Sequence, residues 1–334
     1  MKTILFAFAL LWMKQWSNHT VLLPQLYAMR AAHVRGSAVM GHTKEGRPLQ
    51  LHYFPGKSDK NILLVGGVHG SELSSIALAE LLREQISTEF SSEYNIWIIP
   101  CLFPDNAVKA IASGCKIGNH ENIGRYSGKT CADPNRQMPP PGKAFETETP
   151  HDHAGRLIEP ENQLLLKVIQ ELAPERIISL HAIRDTKHAG IFADPRTTCT
   201  GMAYGYVPDS TLAIETARHI LRMDGDAWGN HPLQRPTTLY VNDPPIAAPG
   251  CFQPRKFHGS KLPGNIGYGV SLGTWATTDV CGEKEEKSRK AAMLFTIEFP
   301  GSKRPEDYHT GEEKSWCRKN LYAYASAIRH VLLQ

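Results

Sequence analysis

Apolar and polar residues alternate over residues 49–53, and residues 61–65 form a compact apolar run that stops at Gly66-Gly67. Alternation with period two predicts a half-buried strand. A short unbroken apolar run bounded by glycines predicts a strand covered on both faces. Over residues 74–86 the apolar positions Ile76, Leu78, Leu81, Leu82 and Ile86 recur at helical spacing, and residues 94–99 return to a strand pattern. Strand, helix, strand in that order predicts a parallel, doubly wound sheet. Residues 161–172 predict another helix, with Leu165, Val168, Ile169 and Leu172 on one face, ending at Ala173-Pro174. Residues 176–180 and 291–299 predict strands, and residues 321–333 a closing helix. Residues 106–154 and roughly 224–265 are rich in Gly, Pro and Asn and predict two long loop regions. Long loops inside compact domains are where binding and catalysis concentrate.

Two of the apolar strands end in residues that carry chemistry. The run Leu63-Leu64-Val65-Gly66-Gly67-Val68 leads into His69-Gly70-Ser71-Glu72. Residues three apart in a first helical turn face the same way, so His69 and Glu72 can reach one ion. Open α/β sheets place ligands at the carboxyl ends of their parallel strands. A catalytic zinc takes three protein ligands from His and Glu and keeps one open position. His-x-x-Glu alone is weak, because His42-Glu45 and His309-Glu312 repeat it among charged and turn residues, where it predicts solvated surface. The third ligand comes from a second strand end, Ile177-Ile178-Ser179-Leu180-His181. His151 and His153, bracketing Asp152 in a Pro-rich loop, are a weaker second metal site or, more simply, solvated loop histidines.

Met293-Leu294-Phe295-Thr296-Ile297-Glu298-Phe299-Pro300 places a carboxylate inside an apolar strand. Such a group is costly to bury unless it has a partner or a task. Near a metal, Glu298 can take a proton from the attacking water and pass it to a leaving amine. Asp133-Pro134-Asn135-Arg136 offers a planar guanidinium and a neutral amide donor to a carboxylate. Arg125 places a second cation where an oxyanion develops. The plain alternative for either arginine is a surface ion pair.

At 334 residues, with 41% hydrophobic and 21% charged positions, the chain has the make-up of a folded domain with a sizeable core. A formal charge of +4 without a basic block excludes nucleic acid as the expected partner. The first residues, Met1-Lys2, an apolar run over 3–12 and Met13-Lys14, have the shape of a secretory leader too short to span a bilayer. Residues 1–32 are therefore read as a signal-like or anchoring segment and residues 33–334 as one catalytic domain. That reading implies a periplasmic or secreted protein without a stable membrane span; a buried N-terminal helix implies a cytoplasmic one. Seven cysteines (Cys101, Cys115, Cys131, Cys199, Cys251, Cys281, Cys317) fit an oxidising compartment, and with no metal-type spacing they are expected to be structural, paired or buried.

Together these residues resemble the zinc carboxypeptidase family, and more narrowly its murein peptide amidase-like bacterial branch, over nearly the whole chain from His42 to Pro300. Gly41-His42-Thr43-Lys44-Glu45-Gly46-Arg47-Pro48-Leu49 is similar to the family's opening strand, and Gly66 to Glu72 to its first metal motif. Asp133 to Arg136 is similar to its substrate-carboxylate motif. Pro160-Glu161, Ser179-Leu180-His181 and Thr296-Ile297-Glu298 complete the set in the family's order. Pro134, Gln137 and Met138 depart from the family's carboxylate motif, and Cys101 to Asp105 from its usual Asn-Pro-Asp, which bears on specificity more than on catalysis.

The resemblance implies an α/β fold, a mixed and mostly parallel twisted sheet with helices on both faces. It implies one zinc ion per chain, held by His69, Glu72 and His181, with Glu298 as general base and Arg125 beside the oxyanion. Asn135 and Arg136 would bind the substrate carboxylate, and Tyr268, with Tyr240 as a rival, is the expected lid tyrosine. The implied reaction is hydrolysis of a C-terminal peptide or amide bond, with peptides or muropeptides of the cell wall as substrate. A rival enzyme reading is an N-acyl amino acid amidohydrolase of the aspartoacylase and succinylglutamate desuccinylase type, which shares the metal motif. A rival of another class is a non-catalytic peptidoglycan- or protein-binding module, against which the intact ligands and Glu298 argue.

Overall fold

The structure is a computed structural model that describes residues 22–87, 90–114, 123–126, 132–205, 207–230, 269–282 and 288–334. A seven-stranded sheet forms its centre. In chain order the strands are β1 (Gly36–His42), β2 (Pro48–Phe54), β3 (Asn61–Val65), β4 (Asn95–Ile99), β5 (Arg176–Ile183), β6 (Gly190–Ala193) and β7 (Met293–Pro300). Their order across the sheet is β1-β2-β4-β3-β5-β7-β6. The four central strands run parallel, while β1, β2 and β6 join antiparallel at the two sides. The sheet is mixed, with a parallel core.

Helix α1 (Leu22–Ala32) precedes β1, and α2 (Leu73–Ser87) connects β3 to β4. After β4 come α3 (Pro104–Ala112), α4 (Pro160–Leu172), α5 (Val207–Arg222), the short α6 (Leu272–Ala276) and α7 (Gly311–Ala327), which runs into a π-helical turn (Ile328–Leu332). Period-two alternation divides the core strands between two faces. Ile62, Leu64, Ile178 and Phe295 pack on the side of α2, α5 and α7, whereas Leu63, Val65, Ile177 and Leu294 pack on the side of α4 and α6. Cover on both faces explains why these strands read as continuous apolar runs.

Several elements differ from expectation, the short strand β6 and helix α6 among them. Residues 104–112 are helical although the loop was expected from residue 106. Pro104 at the first helical position and Asp105 in the first turn start this helix. Helix α5 buries Ala213, Thr216, Ala217 and Ile220, a face too weakly apolar to stand out in the sequence. The closing helix begins at Gly311 rather than 321, behind a capping box in which Thr310 and Glu313 exchange hydrogen bonds.

Cys199 and Cys281 form a disulfide that ties the loop after β6 to the loop after α6, while Cys101 and Cys317 are free thiols. Cys115, Cys131 and Cys251 lie outside the described residues. Among the described residues no helix is long and apolar enough to cross a membrane.

Candidate metal centre

β3, β5 and β7 are neighbours in the parallel core, so their carboxyl ends lie side by side. Register sets the rest: Val65 pairs with Ser179, Ser179 with Thr296, and His181 with Glu298. The two strand-end histidines and the carboxylate inside β7 therefore meet at one rim of the sheet.

Between β3 and α2 the chain makes a tight turn, closed by the Glu72 N–H donating to the His69 carbonyl at 3.0 Å. Glu72 stands just before the helix rather than within its first turn, and this turn, not helical spacing, brings the two side chains together. Gly67 and Gly70 permit it. Gly67 has φ +61°, and a Cβ on Gly70 would lie 2.5 Å from the backbone nitrogen of Ala107.

His69, Glu72 and His181 are all buried and offer ligand atoms within 4.8 Å of one another. The Nδ1 atom of His69 lies 2.9 Å from Oε1 of Glu72, and Nδ1 of His181 lies 3.1 Å from Oε2. The outer nitrogens are held too: Nε2 of His69 is 2.9 Å from Oδ1 of Asp133, and Nε2 of His181 is 3.0 Å from the Ser179 hydroxyl. Two imidazoles turn the same ring atom to one carboxylate while their far sides are fixed by oxygens. That donor set fits a zinc ion, whose histidine ligands are oriented by such partners.

Electrostatics concentrate at this point. Burial works against a charged His69, but Glu72 and Asp133 outweigh it, despite Arg125, and push its pKa up to about 9. The two histidines overcome burial and hold Glu72 well below the usual carboxylate range. His69 does the same for Asp133. Burial raises the Glu298 pKa, with His181 opposing and the Glu72 carboxylate reinforcing the rise.

Arg125 is brought to the cluster: its Nη1 donates to Oε1 of Glu72 at 2.7 Å. Asn135 and Arg136 lie in a 3-10 turn (Pro134–Arg136) capped by Asp133, whose Oδ1 accepts from the Asn135 N–H at 2.9 Å as well as from His69. Asn135 and Arg136 are thus tied to the His-Glu-His cluster through one oxygen atom. Tyr268 and Tyr240 lie outside the described residues. His42 with Glu45 and His309 with Glu312 are exposed, as expected. His151 and His153 are also exposed, and the Asp152 between them is bound by Arg156 at 2.6 Å, so no second cluster forms there among the described residues.

Asp133 and Ser179 stand inside motifs of the sequence whose pattern assigns them no task of their own. Both are 2.9–3.0 Å from the outer nitrogens of the histidines. Ser179, two residues before His181 on the same strand face, was open to a period-two argument. Asp133, 64 positions from His69, was not. Asp133→Ala is expected to weaken zinc binding about tenfold to a hundredfold, measured by competition with a chelating indicator. An unchanged affinity would mean that Asp133 does not orient the His69 ring.

No protein-family model and no curated protein matches this chain. Among solved structures it is similar to bovine thrombin-activatable fibrinolysis inhibitor, at 14% identity over 93% of this chain and 96% of that one, with a TM-score of 0.47. It is also similar to the murein-tripeptide amidase of Escherichia coli O157, at 18% identity over 90% and 95% with a TM-score of 0.42. For carboxypeptidase A of Helicoverpa armigera the values are 12%, 93%, 72% and 0.43.

Proposed function

We propose that this chain is a zinc-dependent carboxypeptidase that hydrolyses a C-terminal peptide or amide bond. One observation carries the reading: a buried His-Glu-His cluster at adjacent strand ends, with a carboxylate in register beside it and an Asn-Arg pair anchored to it through Asp133. The first part is a metal site and the second a general base. The third is a hold on a free chain end, which distinguishes an exopeptidase.

When bound, zinc supplies Lewis acidity that polarises the scissile carbonyl and makes water a stronger acid. Glu298 accepts the proton of the attacking water and delivers it to the leaving amine. Its raised pKa suits both halves of that task, because the group must be ionised first and protonated afterwards. Arg125, 2.7 Å from Glu72, offers its guanidinium to the oxyanion. Asn135 and Arg136 receive the terminal carboxylate, with the fork geometry of arginine suited to its two oxygens. Tyr268 is the proposed lid residue.

Muropeptides are the proposed substrate class, supported by the resemblance of the sequence motifs to the murein peptide amidase-like branch and by the leader-like residues 1–32. A periplasmic or secreted location follows from the same segment. The test is metal content by mass spectrometry together with product analysis on defined muropeptides, ordinary blocked peptides and N-acyl amino acids side by side. One zinc per chain with release of a single C-terminal residue supports the proposal. Cleavage of acyl amino acids alone transfers it to the amidohydrolase reading, and peptide binding without metal or turnover to a binding module. Arg136→Ala is expected to raise KM on the order of tenfold to a hundredfold for a substrate with a free C-terminal carboxylate, leaving kcat nearly unchanged. Equal KM in both proteins would remove Arg136 from substrate binding.

A further inference from the structure

The loop carrying the carboxylate-recognising pair is held from two sides. On the metal side Asp133 joins His69 to the Asn135 N–H. On the other side runs the segment leading into α6. A Cβ on Gly269, at φ +137°, would lie 2.1 Å from the Arg136 carbonyl oxygen, so the two backbones pass at a separation that glycine alone permits. The Met138 N–H donates to the Val270 carbonyl at 3.2 Å. Leu272, the first residue of α6, donates its backbone N–H to Oδ1 of Asn135 at 3.1 Å.

Five residues make too short a helix to hold itself. The far end of α6 is fixed by Arg289, which is buried and donates to the carbonyls of Trp275 at 2.9 Å and Ala276 at 2.8 Å. Its guanidinium also lies 4.5 Å from the centre of the Trp275 ring. At the near end, the Ser271 hydroxyl accepts from the Thr274 N–H. The Leu272 N–H is thus set by the frame of the protein.

The consequence falls on the Asn135 amide. With its oxygen turned to Leu272, the NH2 group faces the other way and has no partner among the described residues. A half-turn of the amide would offer an oxygen to an incoming carboxylate and set NH2 against the Leu272 N–H, so both contacts would be lost. We propose that the backbone N–H of Leu272 is a positioning group for substrate: it sets Asn135 with its NH2 toward the C-terminal carboxylate. This rests on the carboxypeptidase reading above and adds to it the element that orients the anion site.

Leu272→Pro tests the idea directly, because it removes the N–H at a position where proline suits a helix. Ser271, with φ −78° and ψ 160°, already has the extended backbone that a residue before proline requires. Leu272→Ala keeps the N–H and matches the loss of the buried side chain. Asn135→Ala reads the function itself. KM and kcat would be measured for a blocked dipeptide with a free C-terminal carboxylate and for the same dipeptide as its amide. The expected result is a KM for Leu272→Pro about fivefold above that of Leu272→Ala on the acid, with kcat unchanged and no difference on the amide. Asn135→Ala should raise KM on the acid at least as much. If Leu272→Pro does not fold, replacing Leu272 by its α-hydroxy acid removes the same N–H and keeps the side chain. Equal KM for the N–H-deleted protein and its control, with Asn135→Ala impaired, overturns the positioning role and leaves the function standing. An unimpaired Asn135→Ala overturns carboxylate anchoring by Asn135 and the positioning role with it.

Discussion

Replacing Glu298 with Gln is expected to lower kcat by about a hundredfold to ten-thousandfold while the protein keeps its zinc. The substitution preserves volume and shape, so β7 and its pairing with β5 should survive. What it removes is a group that can both take and give a proton beside the cluster. Glu298 pairs in register with His181 yet is not one of the three clustered ligand residues, so metal content and turnover should separate. A second signature lies in the pH profile. Burial and the Glu72 carboxylate raise the Glu298 pKa against the pull of His181. Activity that needs the ionised form should fall on the acid side as Glu298 is protonated, and the residual activity of Glu298→Gln should lack that limb. Turnover within tenfold of wild type would falsify the base assignment. Loss of zinc together with activity would make Glu298 a structural support of the metal instead.

What could be read from the sequence, and what could not, follows from the range of the interactions. β3, β5 and β7 are covered on both faces, so each is largely apolar, and a His or Glu within it or just beyond it stands out against that background. That contrast makes His69, His181 and Glu298 legible in the sequence. Their meeting was not visible, because it depends on a strand order in which β5 lies between β3 and β7, set by packing over more than a hundred residues. α5 is hard to read because its buried face holds a single large apolar residue, Ile220, among alanine, threonine, serine and aspartate, and β6 because four residues are too few to show a period. α3 was hidden by the Gly- and Asn-rich composition around it, even though Pro104 marked its start. The bond from Leu272 to Asn135 spans 137 positions and comes from a backbone atom, for which a sequence carries no letter.

Glu72→Ala is the substitution expected to cost the fold as well as the metal. Both carboxylate oxygens are fully engaged: Oε1 with His69 at 2.9 Å and Arg125 at 2.7 Å, Oε2 with His181 and the Ala182 N–H, each at 3.1 Å. Its removal takes one carboxylate partner from the buried His69 imidazole and the countercharge from the partly exposed Arg125 guanidinium, a loss of up to about 3–5 kcal/mol if the pairs were fully buried. Asp133 remains and offsets part of it for His69. Zinc would be left two histidine ligands, so stoichiometric binding should disappear. In protein stripped of metal by a chelator, the stability difference should also depend on pH in a definite sense. His69 in the wild type has its pKa raised from 6.5 to about 9, in part by Glu72. A raised folded-state value stabilises fully below the unfolded pKa, and that contribution is lost as pH rises through the folded one. The gap between wild type and Glu72→Ala, read from denaturant midpoints, should therefore be widest near pH 6 and narrow toward pH 10, without closing, because Arg125 and the Ala182 N–H still distinguish the two proteins. A gap that is constant across this range would mean that His69 is not charged beside Glu72. One that widens with pH would mean that the pair works against the folded state.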